Sequence, residues 1–363
     1  MITIGSVKED LDHERRISIT PETVKKFTSL GFSINLEKDY ANHLNISDTE
    51  YKNNGANVNI PKKEVFETSD IILKVNNPST DEANLIKSKS ILIGQFDPNF
   101  NKIVIDKLIK NSVNFFSLNL LPRITRAQSM DVLSSQANLA GYKAVVESFS
   151  KFERAVPMMM TAAGTIPAAK VLVLGAGVAG LQAIATAKRM GAIVFATDIR
   201  AASKEQVESL GGKFLMVEGS EDLETKEGYA KETSEDFKKK QESLLEETLK
   251  KIDIVICTAL IPGKKAPLII KENMIKNMKG GSLIYDLAAI QGGNSAFTEP
   301  DKIIVKNGVT IMGESNILNK LPISASNLYA KNVYNFISNL YDKDNKKLNI
   351  NLEDEIIAKT LIK

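Results

Sequence analysis

The chain is poor in cysteine and histidine, has almost no charge imbalance and lacks a long uninterrupted apolar run. One cysteine, Cys257, in 363 residues excludes an intrachain disulfide and a four-thiolate metal site. Its place in the apolar run Ile252 to Ala259 reads as a packed core thiol. The two histidines, His13 and His43, lie far apart and match no metal-ligand spacing, so no metal is expected. Net charge is only +3, and no cluster of Lys and Arg interleaves with aromatics, which argues against a nucleic-acid partner. Met1 to Val7 is short, strand-like and followed by a charged segment, which is not the pattern of a cleavable signal. The most apolar stretch, Val171 to Ala187, is interrupted by glycines. No direct membrane insertion is expected, and the chain reads as soluble and cytoplasmic.

What is present is an ordinary globular composition, 43% hydrophobic and 25% charged, in a chain longer than one core usually serves. Two domains are therefore expected. The densest signal is Lys170 to Arg200. An apolar run, Val171 to Leu174, leads into Gly175-Ala176-Gly177-Val178-Ala179-Gly180, then a helical pattern, a second apolar run, and Asp198. Strand, glycine turn, helix, strand and acid in that order form the dinucleotide-binding fingerprint. The glycines permit the tight turn, the approach of a pyrophosphate and close helix–strand packing, and the helix N-terminus offers N–H donors. A carboxylate at position 198 accepts from adenosine ribose hydroxyls and repels a 2′-phosphate, which favours NAD(H). Arg200, two residues on, could instead pair with such a phosphate. Ile199 between them is a further candidate for nucleotide contact, as are Thr258, the last residue of a further strand candidate from Asp253, and Ala259 and Leu260 after it.

Residues 1 to 130 alternate short strand and helix patterns. Strands are expected at Ile2 to Val7, Ile34 to Leu36, Ile71 to Val75, Ile91 to Gly94 and Val113 to Phe116. Thr20-Pro21-Glu22 starts a helix that Gly31 stops. This alternation argues for a second doubly wound parallel sheet, without a glycine fingerprint and so not for dinucleotide binding. The polar run Leu121 to Asp131 precedes a helical pattern from Met130 to Phe152. Its residues Arg123, Gln128 and Asp131 suit an interdomain cleft equally well as a surface turn with a helix cap. Pro157 to Pro167 reads as a linker whose methionines pack between domains.

Beyond Asp198, strands are expected at Phe214 to Val217, Ser282 to Asp286 and Thr310 to Gly313, giving about six parallel strands. Gly219 to Lys231 carries Gly228-Tyr229 in a polar loop, either a mobile lid or an ordinary solvated loop. An exposed helix should follow Thr233-Ser234-Glu235-Asp236. From Asn319 the pattern is helical, and the two C-terminal helices are expected to return to the first domain. The fold class is thus α/β, with two doubly wound parallel-sheet, Rossmann-like domains and a cleft between them: 1–130 plus 319–363, and 131–318 with a loop at about 219–231.

Four runs carry a resemblance: Arg123 to Ala144, Gly175 to Phe214, Gly228 to Glu232, and Asp286-Leu287-Ala288-Ala289 before Gln291-Gly292-Gly293-Asn294. Through them the chain resembles the soluble NAD(H)-binding alpha subunit (domain I) of proton-translocating NAD(P) transhydrogenase, in the alanine dehydrogenase/transhydrogenase superfamily. The resemblance implies NAD(H) on this chain, NADP(H) on a partner subunit, membrane-spanning partners that translocate protons, a homodimer, and a place at the inner membrane through those partners. Direct hydride transfer would then need no acid or base from this chain. By position it implies Arg123, Gln128, Asp131 and Ser134 around the nicotinamide, its ribose and phosphates, Asp198 at the adenosine ribose, and Tyr229 on a mobile loop. Alanine dehydrogenase is similar through Arg15 or Arg16 and Lys74, but its histidine should fall near Gln95 or Phe96 and its catalytic aspartate near Ile290. Neither group is there, which makes an amino-acid dehydrogenase the alternative, alongside a non-catalytic NAD(H)-sensing module.

Overall fold

The computed structural model describes residues 1–97, 99, 101–200, 202–216, 235–261 and 264–362. The chain divides into two units, Met1–Gln136 with Leu318–Lys363, and Ala137–Ile317. In chain order the first unit contributes strands β1 (Thr3–Ser6), β2 (Ser33–Glu37), β3 (Asn57–Ile60), β4 (Ile71–Leu73), β5 (Ile91–Gly94) and β6 (Asn114–Ser117). Helices α1 (Pro21–Ser29), α2 (Asp48–Asn53), α3 (Lys62–Thr68), α4 (Thr80–Leu85) and α5 (Lys102–Lys110) lie among them, and α6 (Val132–Lys151) follows. The second unit adds β7 (Met159–Thr161), β8 (Gly164–Ile166), β9 (Lys170–Leu174), β10 (Ile193–Thr197), β11 (Lys213–Phe214), β12 (Ile254–Cys257), β13 (Leu283–Asp286), β14 (Ile303–Lys306) and β15 (Val309–Gly313). Its helices are α7 (Val178–Arg189), α8 (Ser203–Ser209), α9 (Glu235–Leu249) and α10 (Glu272–Lys276). The chain ends with α11 (Pro322–Leu340), the small hairpin β16 (Tyr341–Asp342) and β17 (Lys347–Leu348), α12 (Glu355–Thr360) and β18 (Leu361–Ile362).

The first sheet runs β18-β6-β5-β4-β1-β2-β3, parallel except for β18. Its central strands are buried along their whole length at Ile71–Leu73 and Ile91–Gly94. That is why they read as continuous apolar runs: a parallel sheet is covered on both faces. Helix α1 begins as expected, with Thr20 and Thr23 forming a reciprocal cap and Pro21 in the first turn. Helix α11 lays Tyr329, Val333, Phe336, Ile337 and Leu340 into the core built on Ile4, Ile34, Ile71 and Ile91. The Phe336 ring meets Phe116 edge-on at 5.6 Å.

The second sheet runs β11-β10-β9-β12-β13-β15-β14, six parallel strands closed by antiparallel β14. Both sheets are Rossmann-like, as the alternating pattern predicts. Several expectations are corrected. The stretch read as a linker forms an antiparallel hairpin, β7 with β8, on which Met160 is exposed to 79%. Of the strand expected over Phe214 to Val217, the described residues pair through Lys213 and Phe214, and Val217 lies outside them. The last helix, expected over Leu352 to Ile362, spans Glu355–Thr360, and Leu361 and Ile362 extend as β18 against Phe116 and Phe115.

Replacing Phe336 by Ala removes a fully buried ring and is expected to cost about 3–5 kcal/mol. Ile103→Ala, at a side chain exposed to 76%, should stay within about 0.5 kcal/mol. Urea unfolding followed by tyrosine fluorescence, to which the first unit contributes Tyr40, Tyr51, Tyr329, Tyr334 and Tyr341, checks the contrast.

Candidate functional site

Each glycine of the fingerprint has its own structural reason. Gly175 ends β9 at φ +92°, in the left-handed region, and a Cβ there would sit 3.0 Å from Thr258 Oγ1 and 3.2 Å from the Ala259 nitrogen. Gly180 lies so close beneath the turn that a Cβ would stand 1.8 Å from the Gly175 carbonyl oxygen. Gly177, the N-cap of α7, has nothing within 4 Å of a built Cβ. Among the described residues no atom therefore requires glycine at 177. The bare backbone and the open space above it are what an approaching diphosphate needs, and α7 begins there with its amide donors.

The turn is held from two sides. Thr258, at the end of β12, donates its hydroxyl to the carbonyls of Leu174 (3.0 Å) and Gly175 (2.8 Å). The Ala259 N–H donates to Asn294 Oδ1 at 3.1 Å, while Asn294 Nδ2 donates to Ala259 O and Pro267 O. Asn294 is itself seated by buried Asp286, which accepts from the backbone N–H groups of Ala288, Asn294 and Ser295 and from the Thr298 hydroxyl. Burial raises the Asp286 carboxyl above its usual range, with those donors opposing the shift. Asp286 and Asn294 stand in a run quoted for its resemblance, yet no local pattern marks them as organisers of the glycine turn. Nor does any pattern mark Gly141, where a Cβ would lie 2.0 Å from the Ala179 carbonyl oxygen. Leu260 is exposed.

Asp198 follows the last residue of β10 and reaches back to the turn. Its Oδ2 accepts from the Ala176 N–H at 2.7 Å, and its Oδ1 from the Arg200 N–H at 2.9 Å. Arg200 also folds onto the same carboxylate, Nε to Oδ1 at 2.9 Å and Nη2 to Oδ2 at 2.8 Å. Each oxygen thus accepts two hydrogen bonds, which is close to the full capacity of a carboxylate. Burial works to raise its pKa, but hydrogen bonds from Arg200 and the Ala176 amide outweigh that and hold the carboxyl below the usual range. The contact is thus complete above the unfolded carboxyl value near ~4 and is lost as pH falls through the lower folded value.

In the first unit, Arg123 and Gln128 are exposed, Gln128 on a short 3-10 helix over Thr125–Met130. Asp131 and Ser134 come together as a helix cap: the Ser134 N–H donates to Asp131 Oδ1 at 2.9 Å and its hydroxyl donates to Oδ2. The Asp131 N–H donates to the Gln128 carbonyl at 3.3 Å. These four residues belong to one unit, and Gly175 to Gly180, Asp198 to Arg200 and Thr258 to Leu260 to the other. Gly228 and Tyr229 lie outside the described residues.

The first unit also buries a set of charges. Glu14 takes the Arg16 guanidinium in a fork, Nε to Oε1 at 2.9 Å and Nη2 to Oε2 at 2.7 Å, and Arg16 Nη1 donates to Gln95 and Gln136. Lys74 Nζ sits 3.2 Å from Glu9 and 3.3 Å from Glu82. Arg15 is exposed, Phe96 is fully buried, and Ile290 is 67% exposed. Among the described residues no group of His, Cys, Asp and Glu could hold a metal ion, and none of the described helices is long and apolar enough to cross a membrane. Cys257 is buried.

Comparison with known proteins gives one consistent picture. Residues 5–140 match the N-terminal domain and residues 144–363 the C-terminal domain of the alanine dehydrogenase/PNT family. The chain is similar to an NAD(P) transhydrogenase subunit alpha protein of Rhodospirillum rubrum, 49% identical over 366 residues that cover 99% of this chain and 95% of that protein. A transhydrogenase crystal structure from Sinorhizobium meliloti superposes with a TM-score of 0.89 at 44% identity, covering 99% of this chain and 97% of the other. An L-alanine dehydrogenase structure superposes at 0.82 with 22% identity, covering 99% and 94%, and shares the fold.

Two glycine variants separate packing from ligand space. Gly180→Ala drives a Cβ into the Gly175 carbonyl and should cost several kcal/mol or prevent folding of the second unit. Gly177→Ala meets no protein atom and should lose no more than about 1 kcal/mol, the preference for Gly over Ala at an N-cap. Thermal melting of the two variants checks the difference.

Proposed function

We propose that this chain, which belongs to the alanine dehydrogenase/PNT family and within it to the NAD(P) transhydrogenase alpha subunits, binds NAD(H) and presents it for direct hydride exchange with NADP(H) held by a partner subunit. The observation that carries this reading over an amino-acid dehydrogenase is the internal saturation of Arg16 and Lys74. A dehydrogenase acting on a small amino acid needs a cation for the substrate carboxylate and a group that moves a proton. Here Arg16 is taken by Glu14, and Lys74 by Glu9 and Glu82. Position 95 is a glutamine that accepts from Arg16, and position 96 is a buried phenyl ring. Exchange of a hydride between two nicotinamides releases no proton at the reacting carbons, so it asks for neither group.

The bound cofactors supply the hydride donor and acceptor. The chain's own part is to seat, orient and exclude water. Gly175, Gly177 and Gly180 admit the pyrophosphate, with the amides of Ala176, Val178 and Ala179 beside it. Asp198, flanked by Ile199 and Arg200, takes the adenosine ribose, and Thr258, Ala259 and Leu260 border the nucleotide. Arg123, Gln128, Asp131 and Ser134 surround the nicotinamide end. The rate gain is proximity, with reacting atoms held at about 3–3.5 Å and water kept out. In the assembly, membrane-spanning partners couple transfer to proton translocation, and two copies of this chain form a dimer held at the inner membrane through those partners.

Mixing the chain with an NADP(H)-binding transhydrogenase subunit should give hydride transfer from NADH to an NADP+ analogue, and none without that partner. NAD reduction by the chain alone with alanine would overturn the reading, and a chain that binds NADH but transfers nothing with the partner would be a sensor. Asp198→Asn should weaken NADH binding by a few-fold, because a ribose displaces the Arg200 guanidinium and gains only the difference between the two sets of bonds. The same change frees Arg200 and should narrow the preference for NADH over NADPH. Titration with both nucleotides measures this, and unchanged affinity for each removes Asp198 from the site.

A further inference from the structure

The segment that carries Gln128 is held by far more polar contacts than a surface turn needs. Both lone pairs of the Ser129 carbonyl are taken from α11, by Asn332 Nδ2 at 2.8 Å and Asn335 Nδ2 at 2.9 Å. Asn332 Oδ1 also accepts from the Ser135 hydroxyl at 2.7 Å, so one buried side chain fixes Ser129 and the first turn of α6 together. On the other side of Gln128, the Arg126 guanidinium forks onto Asp354, with Nη1 to Oδ2 at 2.9 Å and Nη2 to Oδ1. Asn339 completes this second hold, accepting from Arg126 Nη1 at 3.2 Å and donating to Asp354 Oδ2 at 3.1 Å. The hydrogen bond from Arg126 is the main cause that holds the Asp354 carboxyl down at about 2. Asp354 Oδ1 accepts as well from the Ile356 N–H, capping α12. Below the segment, Ala127 and Met130 are buried in the first-unit core.

Asn332, Asn335 and Asn339 recur at i, i+3 and i+7, one face of a helix. Asparagine is a poor helix former because its amide competes for backbone groups. A stripe of three at this spacing is explained by what the stripe holds. Short 3-10 helices are marginal by themselves, and this one is fixed at residues 126 and 129 and packed at 127 and 130. Gln128 between them keeps its side chain in solvent.

We propose that the asparagine stripe of α11 and the Arg126–Asp354 pair are positioning residues for hydride transfer, because they fix the backbone from which Gln128 reaches its ligand. The inference rests on the reading of Gln128 given above. A displacement of about 1 Å at such a group costs on the order of a hundredfold in rate, while nucleotide seated on the glycine turn is retained.

The test uses the full chain with an NADP(H)-binding transhydrogenase subunit, and compares wild type with Asn335→Ala, Asn335→Asp and Arg126→Lys. Asn335→Asp keeps the shape but loses the donor to Ser129, and Arg126→Lys keeps the charge but loses the fork. All three should hold the NADH dissociation constant within about twofold while the single-turnover transfer rate falls about tenfold or more. Unchanged rates, or NADH affinity falling in step with the rate, overturn the proposal, as does an Asn335→Asp variant that behaves like wild type. If the wild-type mixture transfers no hydride, the functional reading fails instead. Trypsin cleavage after Arg123 then decides the clamp, which predicts markedly faster cleavage in Asn335→Ala than in wild type; equal rates overturn it.

Discussion

The second unit depends on a contact that only the absence of a side chain permits. With a Cβ at Gly180 standing 1.8 Å from the Gly175 carbonyl oxygen, α7 can begin directly above the end of β9 only because both residues are glycine. That closeness brings the first amides of α7 to the carboxyl edge of the sheet. The Thr258 hydroxyl then reaches the Leu174 and Gly175 carbonyls from the next strand, and Asp198 reaches the Ala176 amide from the strand on the other side. A single steric constraint in the sequence thus decides where three strands can contribute to one turn.

The two sheets place a switch in strand order at corresponding points and fill it differently. In the second unit the order reverses between β9 and β12, where the Thr258 hydroxyl holds the turn at Gly175 and Gly177 leaves bare backbone. In the first it reverses between β1 and β4, and the residues that follow those strands are Glu9 and Lys74, joined by Glu82. Ligands of open parallel sheets bind at such a crevice. The first unit closes it with its own ions. Burial raises Glu9 above the usual carboxylate range against the pull of Lys74, whereas for Glu82 the pull of Lys74 and Lys62 exceeds the effect of burial. Buried ion pairs rarely stabilise more than apolar packing of the same volume. Their effect here is to commit Lys74 and, beside Glu14, Arg16 to carboxylates of the chain itself.

What the sequence made legible follows from how local each signal is. Central strands such as Ile71–Leu73 and Val171–Leu174 read directly, because burial on both faces requires unbroken apolar runs. Edge strands did not. β3 alternates Asn with apolar residues, and β18 is two residues whose only mark as a strand is pairing with Phe115 and Phe116. The β7–β8 hairpin was hidden for a related reason, since its strands pair only with each other and bury no face. At the site, the glycine turn was legible as spacing. The use of Asp131 as a cap was one of two readings that spacing left open, and the saturation of Asp198 by Arg200 was invisible, because it depends on a side-chain torsion.

That saturation changes how selection at Asp198 works. A vacant carboxylate would gain the full value of each ribose hydroxyl it accepted. Asp198 already takes four hydrogen bonds, two of them from the Arg200 side chain. On the proposed reading a ribose exchanges with the guanidinium, and binding gains only the difference between the two sets of bonds. A 2′-phosphate that displaced the guanidinium would instead meet the bare charge of the carboxylate, whereas a hydroxyl can donate to it. Discrimination is thereby kept while affinity is held down. A cofactor that must enter and leave in every turnover is best held in that way, since ground-state binding that persists unchanged into the transition state does not raise turnover.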